Sequence, residues 1–467
     1  MMRWWVALAV LLAAATHVSA ATLALDEVLD SSLRHFPQVL AAVEKTAAQA
    51  GKVLAAEGAF DLRLENQTYS RATGFYDGKI VDSKLVKPLP QFNTKLYGGY
   101  RISDGDFPTY EDEFFTNGGG EFKIGAVFSL LRDRDIDDRR FALRDSSLAL
   151  TQTELEQRLT QIKVQHQAAN AYIVWLAADK GLDIYRGLLA LAEARQRGLE
   201  ARVADGDLAR VYLNENQQYI LKRRGKVTEA ERQLANYANR LALYLRDENG
   251  VPRRPAVAEI PGTWPDLGTL DAAELEATIA AARRGRPEFG IVEADLERER
   301  NRLALGENAL RTRVDLNLEA SQDLGGGSYT REETDAVVRL DITVPLERRT
   351  GRGKVAEARA KVSRLEHERQ LLNEQIDLEV RNIANDINAA ERFLDLAGQE
   401  VDQAGILEEA ERVRFDDGAS DFFVVNLREE STADARLRRI EAQAGLLQAL
   451  TNFYAATVQI ERFHIPE

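Results

Sequence analysis

The chain contains no cysteine, and its 467 residues include only two methionines. Without cysteine there can be no disulfide, no thiolate metal site and no lipid attached to an N-terminal cysteine. Both methionines, Met1 and Met2, lie in the leading segment. The rest of the chain therefore also lacks a thioether ligand for soft metals such as Cu(I).

Long apolar runs are missing beyond the first twenty residues. Residues 1–20 combine the positive charge of Arg3, an apolar stretch over 6–15 and the small-residue pattern Val18-Ser19-Ala20. This pattern predicts a secretory signal peptide, because the apolar stretch is too short for the alternative, a transmembrane anchor. No later stretch approaches eighteen consecutive apolar residues, so any membrane-spanning part has to be closed β-structure.

Basic residues are outnumbered by acidic ones, 61 against 75, which gives a net charge of −14. Removing Arg3 with the signal peptide takes this value from −14 to −15. An acidic, exported chain is a poor candidate for binding nucleic acid. We therefore expect no nucleic-acid partner.

Prolines are scarce and unevenly placed. None lies between 109 and 251, and none between 346 and 465. These stretches are rich in Ala, Leu, Glu, Arg and Gln, the composition of very long helices. Four prolines cluster between the two stretches: Pro252, Pro255, Pro261 and Pro265. They predict a linker at 251–268 between two halves.

The two halves repeat the same order of predicted elements, which indicates an internal duplication. The first repeat, 21–250, has a helix with a proline near its middle, strands at 61–71 and 121–131, and long helices with a tip near 206. The second repeat, 269–467, has a similar helix, strands at 313–323 and 335–346, and a tip near 418. The first repeat also contains an insert, 72–120, that fits an extracellular hairpin, a lid or additional barrel strands. We favour an extracellular, aromatic-rich excursion.

The predicted strands repeat apolar residues at every second position, most clearly where Asp315, Asn317 and Glu319 alternate with Leu316 and Leu318. Alternation over eight to eleven residues fits a transmembrane β-strand, and it fits a half-buried strand of a soluble sheet equally well. Aromatic residues near the strands favour the membrane interpretation, since such residues form belts at membrane interfaces. These aromatic residues are Tyr69, Phe75, Tyr76, Phe92, Tyr97, Tyr100, Tyr110, Phe114 and Phe115. Two strands per repeat cannot close a barrel, so closure requires several copies of the chain.

Short motifs in the second repeat carry a family resemblance. Val344-Pro345-Leu346 leads through Gly351 and Gly353 into a helix, and Arg414-Phe415-Asp416-Asp417-Gly418 precedes Val424-Val425-Asn426-Leu427. Together with the order of elements, these motifs resemble the TolC family of outer-membrane efflux proteins. The resemblance covers essentially the whole chain after residue 20.

The resemblance implies a mainly α fold with a membrane β-barrel, formed by a homotrimer. Each chain would supply four strands to a shared twelve-stranded barrel and its helices to a periplasmic tunnel, in the outer membrane of a Gram-negative bacterium. The expected partners are outer-membrane lipid, a periplasmic adaptor (membrane fusion) protein and an inner-membrane RND or ABC transporter. The function implied is the passive exit duct of a tripartite efflux or type I secretion system. The alternative is a non-conducting periplasmic coiled-coil structural protein.

The candidate site residues are acidic groups at the two helix tips. Asp205 and Asp207 flank Gly206, and Asp416, Asp417 and Asp421 surround Gly418. Turn chemistry alone explains aspartate beside glycine. In a trimer, however, each carboxylate forms a ring that favours cations and invites block by divalent ions. We therefore predict that some of these aspartates line a periplasmic entrance.

No enzymatic site, cofactor site or metal site is predicted. The five histidines are isolated, with no second ligand at metal-binding spacing: His17, His35, His166, His367 and His464. The sequence also contains no phosphate-binding glycine loop after a strand and no nucleophile elbow.

Overall fold

Two very long helices, α3 (Asp138–Ala204) and α7 (Arg349–Asp416), run the length of the helical part of the protein. The computed structural model describes residues 22–270 and 275–466, so the predicted signal peptide lies outside the described residues. The helices contain 67 and 68 residues. At ~1.5 Å per residue, each extends about 100 Å. Neither contains a proline that would remove a backbone hydrogen bond.

Shorter helices pack beside the two long ones at both ends. They are α1 (Leu25–His35), α2 (Pro37–Glu57), α4 (Val211–Leu241), α5 (Leu275–Gly285), α6 (Pro287–Asn308) and α8 (Phe422–Ala456). At one end the contacts follow the order α2, α3, α6, α7, and at the other end the order α4, α3, α8, α7. Within the described ranges, no helix has both the length and the apolar composition that a membrane crossing requires.

Each half begins with two helices rather than with one helix that contains a proline, as the sequence had indicated. Pro37 and Pro287 are the first residues of α2 and α6. Proline favours this position because its missing N–H would have no partner there in any case. The residues before them, Phe36 and Arg286, are extended, because the proline ring disfavours a helical conformation at the preceding residue.

Three clusters of buried hydrophobic residues hold the described helices together, and two of them are large. In the first, Trp175 and Leu176 of α3 pack with Leu29 of α1. In the second, Ile376, Val380 and Ile387 of α7 are buried against α5, α8 and the C-terminal segment. Burial of each such side chain stabilises the fold by roughly 1.5–3 kcal/mol.

A six-stranded antiparallel sheet joins four helix ends. Its strands follow chain order: β1 (Arg63–Ser70), β2 (Lys79–Pro88), β3 (Lys95–Asp104), β4 (Glu121–Ser129), β5 (Arg313–Asp323) and β6 (Asp335–Thr343). The four predicted strands coincide with β1, β4, β5 and β6 to within a few residues. Because α2 leads into β1, α3 follows β4, α6 leads into β5 and α7 follows β6, the sheet stands on the row α2, α3, α6, α7.

The favoured interpretation of 72–120 as an excursion is wrong. This segment supplies β2 and β3, which pair with each other and insert between β1 and β4. Of the three possibilities, additional strands are observed over 79–88 and 95–104. Residues 22–270 and 275–466 therefore contain six strands, where the family resemblance implied four.

The strand register separates the two faces of the sheet. Leu64, Leu85, Gly98, Ile124 and Ala320 lie opposite one another on successive strands, and residues paired in this way point to the same face. This face is apolar and open: Leu64 is 72% exposed and Ile124 is 68% exposed. The opposite face carries most of the charged residues of these strands, although Lys79, Lys87 and Asp104 share the apolar face.

The aromatic residues near the strands do not form one belt. Tyr97 alternates with the apolar-face residues of β3 and donates a hydrogen bond to Glu319 on the polar face. Phe114 lies against Arg101, which is also on the polar face. The face to which an aromatic side chain points therefore depends on its position in the alternation of its own strand. Lying near a strand in the sequence does not determine that face.

Candidate functional site

The first helix tip is the turn between α3 and α4. Asp205 caps the C-terminus of α3, and Gly206 follows it with φ +81°. The Asp207 N–H donates to the Arg202 carbonyl at 2.9 Å, and the Gly206 N–H donates to the Val203 carbonyl at 3.2 Å. Two such bonds around a left-handed glycine form a common helix ending. This turn holds Asp205 and Asp207 at the surface.

The second tip, between α7 and α8, is built in the same way. Gly418 has φ +73°, and the Ala419 N–H donates to the Arg414 carbonyl at 2.7 Å. Asp416 and Asp417 are exposed beside it. Asp421 differs, because its carboxylate accepts a hydrogen bond from the Phe423 N–H at 2.8 Å and caps the N-terminus of α8.

Four of the five candidate carboxylates have no partner among the described residues. Asp205, Asp207, Asp416 and Asp417 take part in no side-chain hydrogen bond or ion pair within 22–270 and 275–466. Asp421 is occupied by its helix cap. The structure therefore leaves four free carboxylates at the tips and gives the fifth a structural contact.

The two tips lie side by side, and a buried aromatic ring joins them. Phe422, at the start of α8, is 1% exposed. Its ring centroid lies 6.4 Å from that of Tyr212 and 6.0 Å from that of Tyr219, both on α4, and 6.3 Å from that of Phe415 on α7. The Arg195 guanidinium of α3 lies 5.4 Å from the same ring centroid. One ring therefore contacts three other helices.

A buried charge cluster adjoins this ring; we call it the tip cluster (Arg195, Arg223, Asn426 and Glu429). Arg223 is 1% exposed and Glu429 is 2% exposed. Arg223 donates to Glu429 at 2.9 Å and to the Leu188 carbonyl at 2.8 Å. Arg195 donates to Asn426 at 2.9 Å and also to Glu429. The tip cluster thus links α3 and α4 to α8.

The electrostatics of the tip cluster are those of a carboxylate held between two guanidinium groups. Burial lowers the pKa of Arg195, and the neighbouring Glu429 carboxylate opposes that shift. Removing one partner from a buried ion pair leaves an uncompensated charge, which typically costs roughly 3–5 kcal/mol. The tip cluster therefore fixes how the α3–α4 hairpin lies on α8.

The sequence analysis missed the tip cluster, although a local signal was present. On α8, Phe422, Asn426 and Glu429 are spaced four and three residues apart and share a face with the buried Val425 and Ala433. A carboxylate and an amide on a buried helical face require buried partners. Those partners lie more than 200 residues away in the chain.

Arginines near the second tip form ion pairs within their own helix. Arg412 contacts Glu408 at 2.7 Å and Glu409 at 3.1 Å, and Arg414 contacts Glu411 at 3.4 Å. All are pairs three or four residues apart on α7. Such surface pairs contribute ~0–1 kcal/mol.

The polar face of the sheet carries a network of ion pairs within and between neighbouring strands. Asp82 accepts from Lys123 at 2.8 Å and from Lys84 at 3.1 Å. Arg101 pairs with Glu121 at 2.6 Å. These contacts run across β2, β3 and β4, of which only β4 was predicted from the sequence. Charged groups therefore cover this face, but they are largely neutralised by neighbouring strands.

Within 22–270 and 275–466, no group of three or more histidine, aspartate or glutamate side chains is arranged to hold a metal ion. The site consists of free carboxylates at the tips, the buried tip cluster behind them and the ion-paired face of the sheet. This arrangement can bind or exclude ions along a surface and can hold helices together.

Comparisons with known proteins give a match in structure and none in sequence. No family model and no curated protein matches the chain. Among solved structures, the outer membrane protein VceC from Vibrio cholerae aligns with 93% of this chain and 95% of its own, at 14% identity and a TM-score of 0.66. The MtrE outer membrane channel of Neisseria gonorrhoeae in its open state aligns with 93% and 88%, at 14% identity and a TM-score of 0.66.

A third similar structure is the Campylobacter jejuni CmeC outer membrane channel. It aligns with 93% of this chain and 85% of its own, at 14% identity and a TM-score of 0.62. Matches over nearly the full length of both chains confirm the fold that the sequence predicted, a TolC-like arrangement of long helices and an antiparallel sheet.

Proposed function

We propose that this chain is a member of the TolC family and that three copies form a channel in the bacterial outer membrane, with a large periplasmic portion. The channel would be the passive exit duct of a tripartite efflux or type I secretion system. Its partners would be a periplasmic adaptor protein and an inner-membrane RND or ABC transporter. The chain itself would have no enzymatic activity.

One observation carries this proposal: the two faces of the sheet differ in polarity, since one is mainly apolar and the other carries most of the paired charges. Leu64, Ile124 and Val338 stand out from one face and are 68–72% exposed. Lys123 and Asp82 on the other face are nearly buried among paired charges. A soluble sheet would bury its apolar face against a core. A sheet in a membrane turns that face to lipid and its polar face to a wet lumen.

The edges of the sheet explain why several copies are needed. β1 pairs only with β2, and β6 pairs only with β5, so each edge strand keeps a row of unpaired backbone groups. Such edges are not tolerated in a bilayer. Because the strand number is even and all pairs are antiparallel, β6 of one copy can pair with β1 of the next in the antiparallel sense. Rotational symmetry then closes the ring.

The helical part would form the tunnel beneath the barrel, and the two halves, 21–250 and 269–467, would be its repeated units. The free carboxylates of Asp205, Asp207, Asp416 and Asp417 would then appear three times each around the periplasmic entrance. Rings of this kind favour cations over anions. We assign the gate to these four residues and not to Asp421, because its carboxylate caps α8.

The test is the state of the protein in membranes. We expect a heat-modifiable trimer in outer-membrane fractions. We also expect the detergent-purified protein to give cation-selective single-channel steps in a planar bilayer, blocked by divalent ions added on the side of the helix tips. A soluble monomer or dimer in the periplasm that inserts into no bilayer would contradict the proposal. That result would favour the non-conducting structural protein.

A further inference from the structure

The connection between β3 and β4 folds back over the sheet. We call residues 105–116 the lid. Thr116 is buried, and its backbone N–H donates to the Ser103 hydroxyl at 2.7 Å. Ser103 in turn donates its own N–H to the Thr116 hydroxyl at 3.0 Å. Ser103 belongs to the polar face, since it alternates with the apolar-face residue Ile102. The lid therefore lies on the side of the sheet that carries the charges.

Two neighbouring lid residues form ion pairs with segments near the two opposite edges of the sheet. Glu111 pairs with Arg71, which directly follows β1, at 2.5 Å. Asp112 pairs with Arg331, in the connection between β5 and β6, at 3.1 Å, and the Asp112 carbonyl accepts from Arg331 at 2.6 Å. Adjacent residues can contact both segments only if the polar face is concave. The lid thus spans the hollow of the sheet at the end away from the helices.

Aromatic side chains fill the space beneath these ion pairs. The Arg101 guanidinium lies 5.9 Å from the Phe114 ring centroid, and the Arg331 guanidinium lies 5.6 Å from that of Phe115. Phe107 packs edge-on against Phe115 and covers Gly78, where any Cβ would overlap its ring. The lid is therefore a packed element with its own small core.

The width of the proposed barrel indicates a role for the lid. Three copies with six strands each make eighteen strands. Barrels of roughly 16–18 strands enclose an open aqueous channel, whereas about eight strands are filled by their own side chains. A barrel widened by β2 and β3 would leave a large hole at its outer end. The lid directly follows β3, one of those two strands, and folds into that space.

We propose that the lid closes the outer end of the lumen, with Arg71–Glu111 and Arg331–Asp112 as its latches. This inference rests on the proposed channel. It adds a second barrier, at the opposite end of the molecule from the helix tips. When the latches break, the lid swings away from the polar face about its ends at Asp104 and Thr116.

The test uses the absence of cysteine, which makes any introduced thiol a unique label. Ser321→Cys places a thiol on the polar face, on β5 beside Lys123. Intact cells are treated with a large maleimide–polyethylene glycol that cannot cross the outer membrane. We expect slow labelling with the lid intact. In the Arg71→Ala/Arg331→Ala background we expect labelling about tenfold faster, which corresponds to ~1.4 kcal/mol for the two latches together.

Two matched controls separate the lid from general damage. Arg339→Ala/Arg349→Ala removes the same charge from exposed ion pairs outside the lid, and it should leave the labelling rate of Ser321→Cys unchanged. Replacing 105–116 by Asn-Gly, a favoured two-residue hairpin turn, should give fast labelling without any latch. Each variant is first checked for heat-modifiable trimer.

The outcomes distinguish the lid from the channel. Tyr329→Cys, on an exposed residue of the β5–β6 connection, should be labelled in every background. If Tyr329→Cys is protected in intact cells, the proposed membrane orientation is wrong. If it is labelled and Ser321→Cys reacts at one rate with and without the lid, whether fast or slow, the lid is not a barrier.

Discussion

The two ends of the molecule handle charge in different ways. At the helix-tip end, the charges of Arg223 and Glu429 are buried and paired with each other, and the free carboxylates lie outside them in water. At the sheet end, charges lie on one face and pair sideways with neighbouring strands, as Lys123 does with Asp82. Helices can enclose a charge among several neighbours, whereas a sheet has only its two faces. Buried, paired charges therefore hold the helices together at the tips. The sheet is organised instead by the difference between its apolar and its polar face.

The largest effect is expected from Glu429→Gln. This change leaves Arg195 and Arg223 buried without a carboxylate, so the free energy of unfolding of the helical part should fall by roughly 3–5 kcal/mol. Denaturant titration followed by helical circular dichroism measures it. The control is Glu430→Gln, which removes the exposed pair with Lys222 and should cost at most about 1 kcal/mol. Equal losses in the free energy of unfolding for the two variants would mean that the tip cluster stabilises the fold no more than an exposed ion pair does.

A second test compares two adjacent residues of β6. Val338 lies on the apolar face and Val337 on the polar face. Arginine at 338 would face lipid and should destabilise the folded, membrane-inserted protein by about 2–4 kcal/mol. Arginine at 337 would face the wet lumen and should cost much less. Folding into lipid vesicles, followed by heat modifiability on gels, gives the comparison. A larger loss for Val337→Arg would reverse the assignment of the faces.

A smaller effect is expected at the helix tips. Asp416→Asn/Asp417→Asn removes two exposed carboxylates per chain. Exposed charges interact by ~1 kcal/mol at short range in water, which corresponds to about fivefold in ion binding. We expect cation selectivity and block by divalent ions to fall by that order in single-channel recordings. Asp421→Asn is the matched control, because an asparagine cap is equivalent to an aspartate cap, and it should change neither property.

The smallest effect is expected away from both ends, where His464 bonds to Asp30 at 2.9 Å. The hydrogen bond from His464 is the main cause that lowers the pKa of Asp30. A carboxyl with a lowered folded-state pKa stabilises the fold above its unfolded pKa and loses that contribution as the pH falls. We therefore expect a contribution of at most about 1 kcal/mol, lost below about pH 4. Asp30→Asn should remove this pH dependence, and Glu44→Gln, which changes an exposed carboxyl on α2, should retain it.

The sequence predicted those helices and strands in which apolar residues recur with one period, helical or alternating, along most of the element. The helices without proline and the strands with clear alternation were found, the latter to within a few residues. β2 and β3 were missed because their two faces are both mixed: Lys79, Ser83 and Lys87 interrupt the face on which Val81 and Leu85 lie. The Ser83 hydroxyl accepts a hydrogen bond from Asn66 on the neighbouring strand β1 at 2.7 Å, and the sequence of one strand does not reveal such a contact.

For the site, the sequence located the tips but could not rank their residues. Asp421 was grouped with Asp416 and Asp417, yet it caps α8, because a carboxylate that directly precedes a helix can accept its first free N–H groups. The tip cluster escaped notice for a different reason. Its four members come from three helices, so no local pattern joins Arg195 and Arg223 to Glu429.

The six strands also give the sheet the same width as the helices on which it stands. Strands lie ~4.8 Å apart, and a tilt of about 40° spreads six of them over roughly 38 Å of circumference. Four helices side by side, at ~8–10 Å each, occupy about 32–40 Å. Four strands would cover only about 25 Å of that perimeter. In the proposed channel, the extra hairpin would therefore let the barrel continue the tunnel wall without a step, and we expect a bore that stays nearly constant from helix to strand.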